Sequence, residues 1–507
     1  MKRLLTVLVA SLALGLVGGV GNALAGELLP PPPNGTATPS QSATQSNDGT
    51  NTADQSGTSA PVVTSGLNLA LANGGSCNPC GGSGTTNQNS DNNVDASNTN
   101  TATQTNNQAN GAGQTQTVGQ GNSGNASQSA EQSNEASNSA DQSGTSRPVV
   151  ASGPNVAILN SGNVNQNSGN NVDASNHNNA NQTNDQSNGL GQSQTVAGNH
   201  GCCSSSGGAS QSASQSNYGS NDAYQSGTSA PVVISGGNYA ILNKDDVNQN
   251  SGNNVDASNT NTATQRNDQK NSAGQSQTVA NGGGCCSSNS GAYQSADQSN
   301  SGSNTANQRG TSAPVVYSGP NVAVGNGWGR DLCNRCGGNG GTVKQNSGNN
   351  VDASNHNTAT QSNNQSNALG QVQQVKGGGW GCCSSSDVDQ TASQSNTASN
   401  EANQTGTSAP VVQSGPNLAA FNHGGVAQNS GNNVDASNTN TARQTNNQSN
   451  KLGQKQSVRR GGCCKPAPCE RSCEPRCEPN PCQPRCEPKP CDPCARPLRF
   501  TSERGVI

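Results

Sequence analysis

Aromatic residues are nearly missing from this chain, which has two Phe, two Trp, five Tyr and a single Met in 507 residues. Hydrophobic residues make up 27%, against roughly 45–50% in ordinary globular chains. A large apolar core is therefore excluded, although the length alone would allow about three or four domains. Charge is scarce as well. With 10% charged residues and a formal charge of −4, the chain lacks the makeup of a solvated polyelectrolyte. The same balance gives no electrostatic case for a nucleic acid or an anionic membrane as partner. Catalytic patterns are missing too: no Ser-His-Asp set, phosphate loop or dinucleotide fingerprint occurs. Of the four histidines, His177 and His356 stand where other copies of the repeat carry Thr; His200 and His423 complete the set. The chain is expected to be no enzyme and to hold no cofactor and no metal.

What is present is Asn, Gln, Ser, Thr, Gly and Ala with a period of two. From Val94 every second residue reads Val94, Ala96, Asn98, Asn100, Ala102, Gln104, Asn106, Gln108, Asn110. The same letters recur from Val172, Val255, Val351 and Val434, while the interleaved positions drift. Successive side chains of a strand point to opposite faces, so this is extended backbone with one constrained face. A second block behaves alike: Gln41, Ala43, Gln45, Asn47, Gly49, Asn51, Ala53 and Gln55 recur from Gln128, Gln211, Gln294 and Gln390, with Gly or Ala the only variation. Between the blocks lies the most apolar stretch of each copy, as in Pro148-Val149-Val150 followed by Asn155-Val156-Ala157-Ile158-Leu159.

The landmark Gly-Thr-Ser-Ala/Arg-Pro-Val-Val places its Pro at 61, 148, 231, 314 and 410, which sets a repeat of 83 to 96 residues. The division is residues 41–127, 128–210, 211–293, 294–389 and 390–462 for the five repeats, with a Cys/Pro-rich tail at 463–507. The fold expected is all-β, a repetitive β-solenoid or β-array, with the tail disordered or in polyproline II. An alternating run of some 25 residues exceeds the usual strand of about 3–10. It reads as several short strands joined by bends, with Gly113, Gly191, Gly274, Gly370 and Gly453 as the cheap places to bend. Inside, the fixed amides would stack into ladders from copy to copy. The competing reading is polar disorder.

At the N-terminus, Lys2 and Arg3, the apolar run Leu4 to Val20 and Ala23-Leu24-Ala25 before Gly26 form a secretory signal, residues 1–25. A Pro-rich linker at 26–40 follows. Cleavage would leave no membrane span, place the chain outside the cell or at its surface, and permit disulfides. The 19 cysteines occur in three settings. Vicinal pairs stand at Cys202-Cys203, Cys285-Cys286, Cys382-Cys383 and Cys463-Cys464, spaced for bridges between stacked copies or between molecules; free thiols are the alternative. Two Cys-x-x-Cys inserts, Cys77 with Cys80 and Cys333 with Cys336, are read as local staples in preference to zinc or redox pairs. The tail carries Cys469, Cys473, Cys477, Cys482, Cys486, Cys491 and Cys494 on a Pro-rich rod, suited to cross-linking; metal binding is the alternative. An odd total leaves one Cys for a partner molecule.

Two smaller features complete the reading. The Asp of Asn-Val-Asp-Ala-Ser (Asp95, Asp173, Asp256, Asp352, Asp435) recurs in every copy, in a turn or cap role more than as a calcium ligand. Thr99, Thr101, Thr103 and Thr105 form a row of the kind seen in ice-binding solenoids, broken in other copies by His, Arg266 and Arg443.

Gln215, Gly219, Asn221, Ala223 and Gln225, with their counterparts, resemble the curlin-type repeat of extracellular functional amyloid. That resemblance covers the first block of each copy and implies a self-assembling surface fibre. The Cys-Pro tail is similar in style to cross-linked envelope and coat proteins. The function expected is a secreted structural protein whose partners are copies of itself, and cell-envelope or coat components. A disordered disulfide-linked adhesive or matrix protein and a metal-sequestering surface protein are the alternatives.

Overall fold

The alternating blocks become the longest elements of the structure. The computed structural model describes residues 40–71, 84–119, 125–160, 162–197, 208–280, 291–326, 341–376 and 387–459. In copy one the first block is β1 (Ser40–Ser59) and the second ends in β6 (Asn98–Val118). Four short strands lie between: β2 (Val62–Thr64), β3 (Asn68–Leu71), β4 (Thr86–Asn89) and β5 (Asn93–Asp95). These six strands make one coil. The series repeats as β7–β12 over 126–197, β13–β18 over 209–280, β19–β24 over 292–376 and β25–β30 over 388–459. Among the described residues there are thirty strands and no helix.

Every strand pairs in parallel with its counterparts in the neighbouring copies, giving six five-stranded sheets. The register is residue for residue: Gln41 pairs with Gln128, Gln128 with Gln211, and Gln211 with Gln294. The fold is therefore a parallel β-solenoid, as expected, and the repeats are not polar disorder. Its cross-section is flat. The β1-type and β6-type strands, 20 to 22 residues long, form two walls that face each other. At about 3.3 Å per residue each wall is about 70 Å wide. The four short strands of each coil close one tip.

The constrained face of each block points inward. Burial alternates residue by residue along β7 and along β12 (Asn176–Ala197). The twelve largest fully buried side chains are all glutamines. Apolar contact is confined to columns that run along the axis. Val150, Val233 and Val316 face Val172, Val255 and Val351 near the closed tip; Ala140, Ala223 and Ala306 face Ala180, Ala263 and Ala359 mid-wall.

One expectation is corrected. The wall strands do not break at Gly113, Gly191, Gly274, Gly370 or Gly453; each lies inside an unbroken strand. A Cβ built at the first four would meet nothing within 4 Å, so glycine there answers to no steric demand of the fold. The strands run past the usual length because inter-coil amide ladders hold the sheet flat, and flat sheets persist where side-chain ladders support them. Bends do occur before the wall, between β4 and β5 and between β5 and β6, and they keep the inside-outside phase from Gln88 to Val94.

Candidate assembly surfaces

A buried primary amide has two N–H donors and one C=O, and each must find a partner. The walls supply partners in two directions. Along the axis Gln128 Nε2 donates to Gln41 Oε1 at 2.9 Å, and Gln211 Nε2 to Gln128 Oε1 at 2.8 Å. Across the interior Gln128 Nε2 also donates to the Ser193 carbonyl at 3.1 Å, and Gln211 Nε2 to that of Ser276 at 3.1 Å. Asparagines do the same: Asn138 Nδ2 reaches Asn221 Oδ1 at 2.9 Å, Asn184 Oδ1 at 2.8 Å and the Thr183 carbonyl at 3.1 Å. Among the described residues no buried side-chain N or O lacks a partner. The ladders were legible in the sequence; the cross-wall bonds to backbone were not, because period-two reading says nothing of which strand lies opposite.

The Gly-Thr-Ser landmark acquires a separate reason for each letter. Gly227 lets the walls approach, since a Cβ there would lie 2.8 Å from Asn259 Oδ1. The Thr228 carbonyl accepts from Asn176 Nδ2 at 2.8 Å. Ser229 Oγ donates to the buried Ala174 carbonyl at 2.6 Å. The recurrent Asp sits at the bend after β5. Asp95 Oδ1 accepts from the Ser97 N–H at 3.1 Å and its hydroxyl at 2.6 Å, and these bonds hold the Asp95 carboxyl below its usual pKa. The turn role expected for this residue is the geometry found. Among the described residues no three His, Cys, Asp or Glu groups converge on a common point.

Three outer surfaces stand out. On the wall, the Thr99 row reads Thr99, His177, Thr260, His356 and Thr439, so His interrupts it. Nearby, Arg266 is ion-paired with Asp268, and burial together with the Asp268 charge pushes the Asp185 carboxyl upward. On the β5 sheet, Asn93, Asn171, Asn254, Asn350 and Asn433 form an external ladder with bonds of 2.7–2.8 Å. Both residues of the pair Asn170-Asn171 recur in each copy, which is the signal that both faces are constrained there. The third surface is the closed tip. Twelve of the nineteen exposed large apolar side chains lie in five segments, 62–71, 149–159, 232–242, 315–325 and 411–421.

The two ends of the stack differ from its middle. Val351 and Val375 are 2% and 1% exposed, while Val434 and Val458, their counterparts one coil on, are 40% and 41% exposed. In the middle of the stack Asn267 Nδ2 reaches both first-wall neighbours, Ser303 O at 2.8 Å and Gly219 O at 3.4 Å, so each second-wall strand lies against two first-wall strands. Among the described residues β30 (Asn438–Arg459) has only β25 (Val388–Ser408) to face. An open shelf results. At the other end, among the described residues, the outer edge of β1 has no strand beyond it.

The expected cross-links fall elsewhere. All 19 cysteines lie outside the described residues. The inserts holding Cys77 and Cys80, and Cys333 and Cys336, both follow the third strand of their coil, between β3 and β4 and between β21 (Asn321–Val324) and β22 (Val343–Asn346). The vicinal pairs Cys202-Cys203, Cys285-Cys286 and Cys382-Cys383 fall between successive coils, and Cys463-Cys464 and the tail cysteines follow the last. The signal segment and residues 26–39 of the Pro-rich linker also lie outside the described residues, while Ser40, the linker's last residue, opens β1. Comparison with protein-family models, with curated proteins and with solved structures finds no match to this chain.

Proposed function

We propose that this chain is a secreted structural protein that assembles end to end into a fibre or coat at the cell surface, fastened by its cysteines. The observation that carries this reading is the complementarity of the two ends. Gln390 donates to Gln294 and to the Lys455 carbonyl, leaving Oε1 to accept from a further coil. At the opposite end Gln41 Nε2 donates to the Thr115 carbonyl, leaving one hydrogen for a further Gln. The asparagine columns match in the opposite sense: Asn396 donates within the last coil, while Asn47 Oδ1 awaits a donor. Seating the first coil of a second copy on the shelf would extend all these ladders and bury Val434 and Val458. Unpaired strand edges of this length are normally blunted or covered. Here they continue the pattern of the interior. Extracellular placement and disulfide fastening rest on the sequence alone, from the signal at 1–25 and the vicinal and tail cysteines.

Electron microscopy and fibre diffraction on the mature chain, with and without reductant, test the proposal. Unbranched filaments with an axial spacing near 4.8 Å are expected. A chain that stays monomeric at high concentration in both conditions would rule out the fibre.

A further inference from the structure

One side of the tip, made by the β2 and β3 sheets, departs from the rest of the molecule. Its inward positions include small and medium apolar residues (Val63, Val150, Ala157), and two of its outward rows are apolar as well, whereas the β4 and β5 sheets on the other side turn Asn outward. The outward row on the β2 sheet is Val62, Val149, Val232, Val315 and Val411, valine in every coil. On the β3 sheet it is Leu69, Val156, Tyr239, Val322 and Leu418. Neither row contains a charge. In the end coils Val62 is 73% exposed, Leu69 54% and Leu418 52%; in the middle of the stack Val149 is 39% exposed and Val156, Val232, Tyr239, Val315 and Val322 are half-buried. At the corner that follows, Leu159 and Leu242 have φ of 59° and 55°, a left-handed conformation that is unfavourable for side chains other than Gly, Asn or Asp. Gly325 fills the corresponding place in the fourth coil with φ 66°. The chain thus keeps exposed leucines where glycine is accommodated.

We infer that this tip is a lateral interface through which two copies of the chain pair side by side. Five coils about 4.8 Å apart, each presenting about ten residues at about 3.3 Å, give a face of about 800 Å². That is about the area each partner contributes to a standard stable interface. The face suits a second copy in particular. Its rows repeat in register, so a two-fold operation sets row against row. The rows carry no charge, so self-contact brings no like-charge penalty and offers nothing to anionic headgroups. End-to-end stacking would continue the ridge along a filament, but pairing needs only the tip of one chain.

The test uses the mature chain with its thiols reduced and alkylated, so that disulfides cannot hold copies together. Sedimentation and negative-stain microscopy of the unaltered chain should show twice the mass per unit length of a single solenoid. The V149K/I234K double variant changes two outward side chains on adjacent coils and should halve that mass while keeping its β circular dichroism. Should that variant lose its β signal, V62K, at the most exposed position of the outermost coil, replaces it and should weaken pairing at least tenfold. Single-width particles from the unaltered chain overturn the inference, as does a folded variant that pairs as before. Unpaired chain that sediments with phosphatidylcholine vesicles also overturns it, in favour of a lipid surface. Width reports this contact and length reports end stacking: long single filaments sink only the lateral contact, short double particles only the fibre.

Discussion

The walls are constrained on one face, the β2 sheet of the tip on both. Along the walls the inner face is fixed, because every amide there must meet another amide above and a carbonyl across, and no other side chain satisfies both. The outer face drifts through Thr, His, Asn, Arg and Lys, since water accepts them all. At the tip one outer row is held as well, Val62 and its counterparts being valine in all five coils, although the next outer row on that sheet drifts from Thr64 to Gln413. Water does not demand valine. A polar repeat that holds an apolar outer row at one place only marks that place for contact with something other than solvent.

That contrast can be broken from the wall side first. Gln265 donates to Gln182 Oε1 and to two backbone carbonyls, and accepts from Gln361. Gln265→Leu strips partners from several buried groups at about 1–3 kcal/mol each, so a loss of about 4 kcal/mol is expected in chemical denaturation. Next comes Gly227→Ala, whose new Cβ would press on Asn259 Oδ1; about 2 kcal/mol is expected from overpacking. Ser229→Ala leaves the buried Ala174 carbonyl short of its hydroxyl donor and should cost about 1–2 kcal/mol.

The smallest effects lie outside. Asp95 has its folded pKa lowered by the Ser97 bonds, so its contribution is present above the unfolded carboxylate pKa and lost as pH falls through the folded value. Asp95→Asn should therefore flatten the acid limb of the stability profile slightly, and a profile unchanged from the parent would deny the Ser97 bonds any part in stability. Arg266→Ala, on the drifting face, should shift the denaturation midpoint by no more than about 0.5 kcal/mol despite its ion pair with Asp268. If Arg266→Ala proved as damaging as Ser229→Ala, the distinction between fixed and drifting faces would fail.

Much of the fold was legible because duplication copies letters equally onto both faces, and divergence then erases only the face that water tolerates. Gln104, Gln182, Gln265 and Gln361 survive; Thr105, Thr183, Arg266 and Ser362 do not. The unbroken walls were less legible, since Gly113 carries the usual mark of a bend and the ladders that hold the strand straight are a property of five coils together. Outward apolar rows were hidden because Val-Val and Val-Ala-Ile occupy both phases at once, and alternation cannot say which residue faces in. The cross-link candidates, from Cys77 and Cys80 through Cys333 and Cys336 to the vicinal and tail cysteines, stand on the sequence alone.

The amide columns also carry a direction. Every interior glutamine step passes its hydrogen from the later coil to the earlier, Gln390 to Gln294 to Gln211 to Gln128 to Gln41. Interior asparagine steps run the other way, Asn47 to Asn134 to Asn217 to Asn300 to Asn396. Each column is a line of aligned dipoles, and each wall contains lines of both senses, Gln128 and Asn134 on one and Gln182 and Asn184 on the other. Their fields largely cancel, so adding coils builds up no macroscopic moment of the kind an α-helix accumulates. A stack of this design can lengthen without an electrostatic limit, yet keep two chemically distinct ends.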